Sequence, residues 1–222
     1  MADLDSEQRA CLAAFWWQRA RGEMTAWVGF QHILADLRAE NSPASVIALA
    51  ERAIEDEHQH AAWCRDWAMQ FGHPGGQIVP RSERQLAFRG ATAEQNRLLR
   101  IAFCCMTETA GCLFLRHVRP QLIDPELRAL NRRNIADELQ HSRVGWGHLA
   151  TLGAGQREFL AGRIAELREL LLAVCCGGAE KDREDLVPWG YFTPRLLRAA
   201  HDEAVRDVIE PAFVHLGLRG AA

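Results

Sequence analysis

The 222 residues contain no CxxC pair and only one tyrosine, Tyr191, and charge of one sign gathers into no block or tail. Without CxxC motifs there is no knuckle for a mononuclear iron or zinc that would carry electrons to another site. Any redox partner is therefore expected to be a separate molecule. Seven cysteines are an odd number, and the neighbours Cys104/Cys105 and Cys175/Cys176 have poor geometry for an ordinary disulfide framework. They read as reduced thiols used as small core residues. The 26 basic and 29 acidic residues are spread over the whole length for a net charge of −3, which speaks against nucleic acid and anionic membrane as partners. Residues 1–9 are polar and acidic where a secretory signal starts basic and turns apolar, and no apolar run approaches the ~20 residues of a membrane span. A cytoplasmic location is expected.

Also missing is the sustained alternation of apolar and polar residues that a half-buried strand requires. With 48% apolar and 25% charged residues, the chain is long enough for one well-buried core and too short for two comfortable domains. The expected fold is all-α and one domain, 1–222. A first helix spans about residues 6–39, with Trp16, Ala20, Glu23, Trp27, Phe30 and Leu34 in one stripe at spacings of four and three. After the Asn41-Ser42-Pro43 turn, Ser42 is expected to cap a second helix that begins at Pro43 and runs to about residue 71. Residues 72–90, with Gly-His-Pro-Gly-Gly and Pro80, have no helical period and read as a crossover. A third helix is expected over about 92–119, stopped by Pro120. A fourth is expected over 125–152, capped by Asp124 and closed by Gly153. The short turns make antiparallel hairpins, and the long crossover joins them. Beyond this unit of about residues 6–153, two further helices are expected near 155–176 and 194–216. Their work is to cover one side, to dimerise or to shape an entrance.

The strongest signal is an internal repeat, Asp56-Glu57-His58-Gln59-His60 and Asp137-Glu138-Leu139-Gln140-His141, two copies of D-E-x-Q-H 81 residues apart. On a helix the Glu and His of each copy lie about 60° apart and point into the same space. Each partner helix adds a carboxylate on its apolar stripe, Glu23 lying 34 residues before Glu57 and Glu108 lying 30 before Glu138. Folding each hairpin at its turn brings these level. Isolated buried ions cost several kcal/mol each, so four carboxylates and two imidazoles in a bundle centre call for cations. Two divalent metals balance four Glu, and an oxygen/imidazole donor set suits iron or manganese.

Four ordered elements, Glu23, Glu57-x-x-His60, Glu108 and Glu138-x-x-His141, make the chain resemble the ferritin-like superfamily of di-iron carboxylate proteins over about residues 6–153. The resemblance implies two iron ions per chain, with manganese or a mixed pair as the other metal choice. It implies Glu57 and Glu138 as bridging or near-bridging carboxylates, Glu23 and Glu108 as terminal ones, and one imidazole for each metal. Asp56 and Asp137 precede the histidines by four residues. They are candidates to orient the ligating imidazoles across the pair, the plain alternative being exposed helix residues. His58 should face away, and His148 should be a polar core residue too far along the axis to ligate. The tryptophans at 16, 27, 63 and 67 read as core, and Gly111 and Gly145 as either a pocket or a close helix approach.

Within that resemblance the two-histidine set is similar to oxidases, N-oxygenases, rubrerythrin-like and bacterioferritin-like proteins more than to ordinary ferritins. A full rubrerythrin would carry a CxxC domain, and a radical-generating subunit would want a tyrosine beside the metals. Arylamine N-oxygenases carry a third histidine where this chain has Asn134. The expectation is an O₂-dependent di-iron oxidase or oxygenase acting on a small organic molecule, with an external electron donor, as a monomer or homodimer. Iron oxidation and storage or peroxide reduction are the alternatives. The last residues, from His215 to Ala222, faintly resemble the peptides that dock ferritin-like cargo in encapsulin shells, against the plain reading of a helix end closed by Gly217.

Overall fold

A computed structural model describes residues 4–178 and 181–218, and among them every regular element is helical. The long helices are α1 (Ser6–Ala39), α2 (Ala44–Gln70), α3 (Ala93–Val118) and α4 (Pro125–Leu149). α1 packs on α2 and α3 on α4, and the two pairs meet through α2 against α4 and α1 against α3. The ends have sequence causes. Asp5 with Gln8 and Thr92 with Gln95 form capping boxes at the starts of α1 and α3. The Asp124 carboxylate accepts from the backbone of Glu126 and Leu127 at the start of α4.

Several boundaries differ from the sequence reading. α2 begins at Ala44 with Pro43 outside it and no side-chain cap. The Ser42 hydroxyl is instead paired with Nδ1 of His148 at 2.8 Å, because a buried imidazole on α4 needs a partner more than an exposed helix start does. α4 stops at Leu149, and Gly153 starts the next helix rather than closing this one. The expected fifth helix is broken at Gly162–Arg163 into α5 (Ala154–Ala161) and α6 (Ile164–Cys176), where Gly weakens the helix. A 3₁₀ turn, Glu184–Trp189, leads to α7 (Pro194–Glu203), a π segment Ala204–Ile209 and α8 (Glu210–His215). The widened turn sits directly before Pro211, which has no N–H to give to the preceding turn.

α6 and α7 lie against α3, so one side of α3 is covered by the C-terminal helices and the other faces the bundle. This explains its composition. Contrary to the sequence reading, the segment Ala93–Gln121 is long and apolar enough to cross a membrane, but 61% of its apolar window is buried inside the protein. Leu99, Ile101, Ala102 and Met106 are fully covered. At the end of α8, Gly217 takes a left-handed conformation (φ 72°) and the Leu218 N–H reaches the Phe213 carbonyl at 2.8 Å, the turn expected of a closing glycine. The remainder of the tail for which the sequence suggested a docking peptide, 219–222, lies outside the described residues.

Candidate metal centre

α2 and α4 each deliver one D-E-x-Q-H copy to the interface between the hairpins, and α1 and α3 deliver Glu23 and Glu108 to the same place. Helical spacing puts Glu57 above His60 and Glu138 above His141. All four are buried, His60 and His141 at 0% and 1% exposure. The six side chains form two groups, Glu57, Glu108, Glu138, His141 and Glu23, Glu57, His60, in each of which one ligand atom per residue lies within 4.8 Å of the others. Glu57 belongs to both. Its two oxygens face different histidines, one 3.0 Å from Nδ1 of His141 and the other 3.7 Å from Nδ1 of His60. Glu138 likewise reaches Nδ1 of both rings, at 3.7 Å each. Glu108 is 3.7 Å from His141.

The far nitrogens are backed across the pair. Nε2 of His60 is 3.3 Å from Asp137, and Nε2 of His141 is 3.4 Å from Asp56. Each copy of the repeat thus supplies a Glu–His pair and the aspartate that orients the other copy's histidine. With Nε2 donating outward, Nδ1 is left as the inward donor atom.

These contacts govern protonation without a metal. Burial disfavours the charged form of His60, yet its hydrogen bond to Asp137 and the nearby Glu57 carboxylate outweigh it and lift its pKa to about 10. His141 is raised as well, burial being outweighed by Glu108, Glu138 and Glu57. Burial pushes the Glu138 carboxyl up against the pull of His141. Asp137 is lowered, first by its bond to His60. Protons on the two imidazoles therefore stand in for cations among the carboxylates. Nδ1 of both histidines and Oε2 of Glu57 are buried with no hydrogen-bond partner. Metal ions held by the two groups would satisfy all three, so the residues fit a carboxylate–imidazole metal site.

The sequence reading missed Arg19. It lies one turn before Glu23 and pairs with it at 3.0 Å, with both side chains mostly covered, and its guanidinium stands 5.1 Å from the Trp16 ring and 4.9 Å from Phe192. The signal was its i,i+4 spacing to a stripe carboxylate. Cys64 is 3.8 Å from the same Glu23 oxygen, and burial pushes its thiol well above the ordinary value. Phe192, from the stretch before α7, joins Glu23, Glu57, Glu108 and Glu138 around a pocket of about 240 Å³.

The remaining expectations separate. His58 is exposed, near Trp27. Trp16 and Trp67 are core, but Trp27 and Trp63 are only half-buried. Trp63 stacks on His60 at 5.5 Å and has the Arg133 guanidinium 5.2 Å from its ring, because at three residues past His60 it sits at the rim of the bundle. Gly111 is a pocket residue, since a Cβ there would stand 3.7 Å from Glu138. Gly145 is a close approach, where a Cβ would lie 2.5 Å from Cys105 and 2.7 Å from the Ile101 carbonyl. Asn134 faces a small void of about 10 Å³ beside Arg19, not the pocket of the carboxylates. Tyr191 is buried away from that pocket and donates to the Lys181 carbonyl. All seven cysteines are free, and Cys64, Cys105 and Cys112 are buried. No family model matches the chain, and neither a curated protein nor a solved structure does.

Proposed function

We propose that the chain is a ferritin-like, non-haem dinuclear metal oxidoreductase that uses O₂ to oxidise or oxygenate a small organic molecule. The observation that carries the reading is Glu57, shared between two candidate ligand groups whose inward nitrogens are buried and unpartnered. Two groups joined by a common carboxylate suit two neighbouring ions better than one. The oxygen-rich donors with one imidazole on each side, and no thiolate, favour iron, with manganese or a mixed pair as the other choice. A reduced iron pair held by Glu23, Glu57, His60, Glu108, Glu138 and His141 would supply the electrons for O₂ chemistry, and an external donor would restore them.

The chain's own residues do the rest. His60 and His141 present Nδ1 inward because Asp137 and Asp56 hold Nε2. Glu57 and Glu138 each face both histidines and would hold the metal together with them. Arg19 holds Glu23 on the α1 side and lowers the negative charge that the site must carry. Phe114, Leu115 and Phe192 border the pocket and limit water around the reacting atoms.

The direct test is metal analysis after anaerobic Fe(II) loading, followed by mixing with O₂. The reading expects about two irons per chain, oxidised once and then arrested until substrate and reductant are added. One tightly held zinc, or no retained metal, would overturn it.

A further inference from the structure

α1 carries Gly22, Ala26 and Gly29 along one face, at spacings of four and three. Together with α3 and the crossover they enclose a cavity of about 570 Å³, within the ~300–1,000 Å³ of sites that take small organic ligands. Gly29 weakens its helix relative to Ala, and a Cβ added there would meet nothing within 4 Å. Its return is open space. The walls include Phe30, Ile33, Leu86, Phe103 and Val174, an apolar lining. At the inner end Gly22, Ala26, Arg81, Thr107 and Glu108 border both this cavity and the pocket of the carboxylate cluster, so the two adjoin.

The charged groups of the lining are unequal. Arg100 is neutralised by Asp36, at 2.7 and 2.8 Å, and Glu108 faces His141. Two cations remain. Arg81 uses one nitrogen on the Gln18 carbonyl at 2.7 Å and has no anionic partner among the described residues. The Arg84 side chain has no hydrogen bond or ion pair among them, only its backbone N–H bonding Ser82. An apolar cavity with two unpaired guanidinium groups from one wall suits a ligand with an apolar body and one anionic end.

We propose that this cavity binds a small amphipathic organic acid, with its apolar body along α1 and α3 and its anionic head on the guanidinium groups of Arg84 and Arg81. It names the substrate class of the oxidation proposed above and rests on that reading for its purpose, though not for its binding.

The test is calorimetric titration of the metal-free full-length protein with decanoate, decanol and decylamine. Decanoate should bind at least about fivefold more tightly than decanol, a difference of about 1 kcal/mol, and decylamine more weakly still. Arg84→Gln should remove most of the advantage of decanoate while leaving decanol unchanged. Gly29→Leu should block both, with far-UV circular dichroism, and metal content after separate Fe(II) loading, as in the parent. Equal binding of all three probes, binding of none, or unchanged binding in Gly29→Leu would overturn the proposal. Metal stoichiometry is read separately, so loss of the metal reading with decanoate still bound, or the reverse, tells which of the two has failed.

Discussion

His60 and His141 are each the single nitrogen donor in their half of the cluster, and their inward atoms are only as well aimed as the aspartates behind them. Replacing either histidine by Ala is expected to reduce retained iron from about two to about one per chain, read by elemental analysis after gel filtration. Asp137→Asn should keep the fold and lower metal affinity by on the order of 10–100-fold, measured by competition with a chelator. Because the backing runs across the pair, the weakened ion should be the one beside His60, although Asp137 adjoins His141 in sequence. Double replacement of Asp137 and His60 should then lose little more than His60→Ala alone. Strict additivity of the two losses would show that Asp137 acts elsewhere.

Packing between helices is controlled at a few points where the backbones come close or a polar group is enclosed. Gly145 of α4 lies so near α3 that a methyl group would meet the Ile101 carbonyl and Cys105. Gly145→Ala should therefore destabilise by about 1–3 kcal/mol through overpacking, whereas the same change at Gly111 should cost little stability and act on the pocket. Chemical denaturation of both variants checks this contrast. The loop before α2 is pinned by Ser42 on His148. Ser42→Ala leaves a buried ring nitrogen unpaired and should cost about 1–3 kcal/mol. Burial holds the His148 pKa below its ordinary 6.5, the charge of Glu40 only partly opposing. The unfolded chain thus takes up a proton at His148 before the folded chain does. Its contribution is whole above pH ~6.5 and is lost as pH falls through that value toward the lower folded-state pKa. His148→Gln should flatten this part of the decline in urea midpoint between about pH 7 and pH 5; an unchanged slope would discard the assignment.

At the scale of the whole molecule, an enzyme and an iron store differ in assembly as well as in turnover. The expectation is a monomer or dimer by gel filtration and light scattering, with Fe(II) oxidation that stops near the capacity of the site. A large hollow assembly holding hundreds of irons would overturn the oxidase reading while leaving the six-residue cluster in place. Much of that cluster was legible beforehand. Helical geometry is local and periodic, so four stripes and two Glu-x-x-His repeats suffice to say that Glu23, Glu57, His60, Glu108, Glu138 and His141 meet. Short turns and one long crossover say which helices pair. Sequence spacing does not say how far one helix slides or rotates against its neighbour. That offset decided that Asp56 serves His141 and Asp137 serves His60, that Gly145 closes a gap where Gly111 opens one, and that Ser42 leaves the helix start for a buried imidazole. It also decided that the crossover carries Arg81 and Arg84 to the rim of a cavity. The residues that converge follow from the period of a single helix. The partners each one finds follow from packing between helices, a property of the closed core that no local stretch contains.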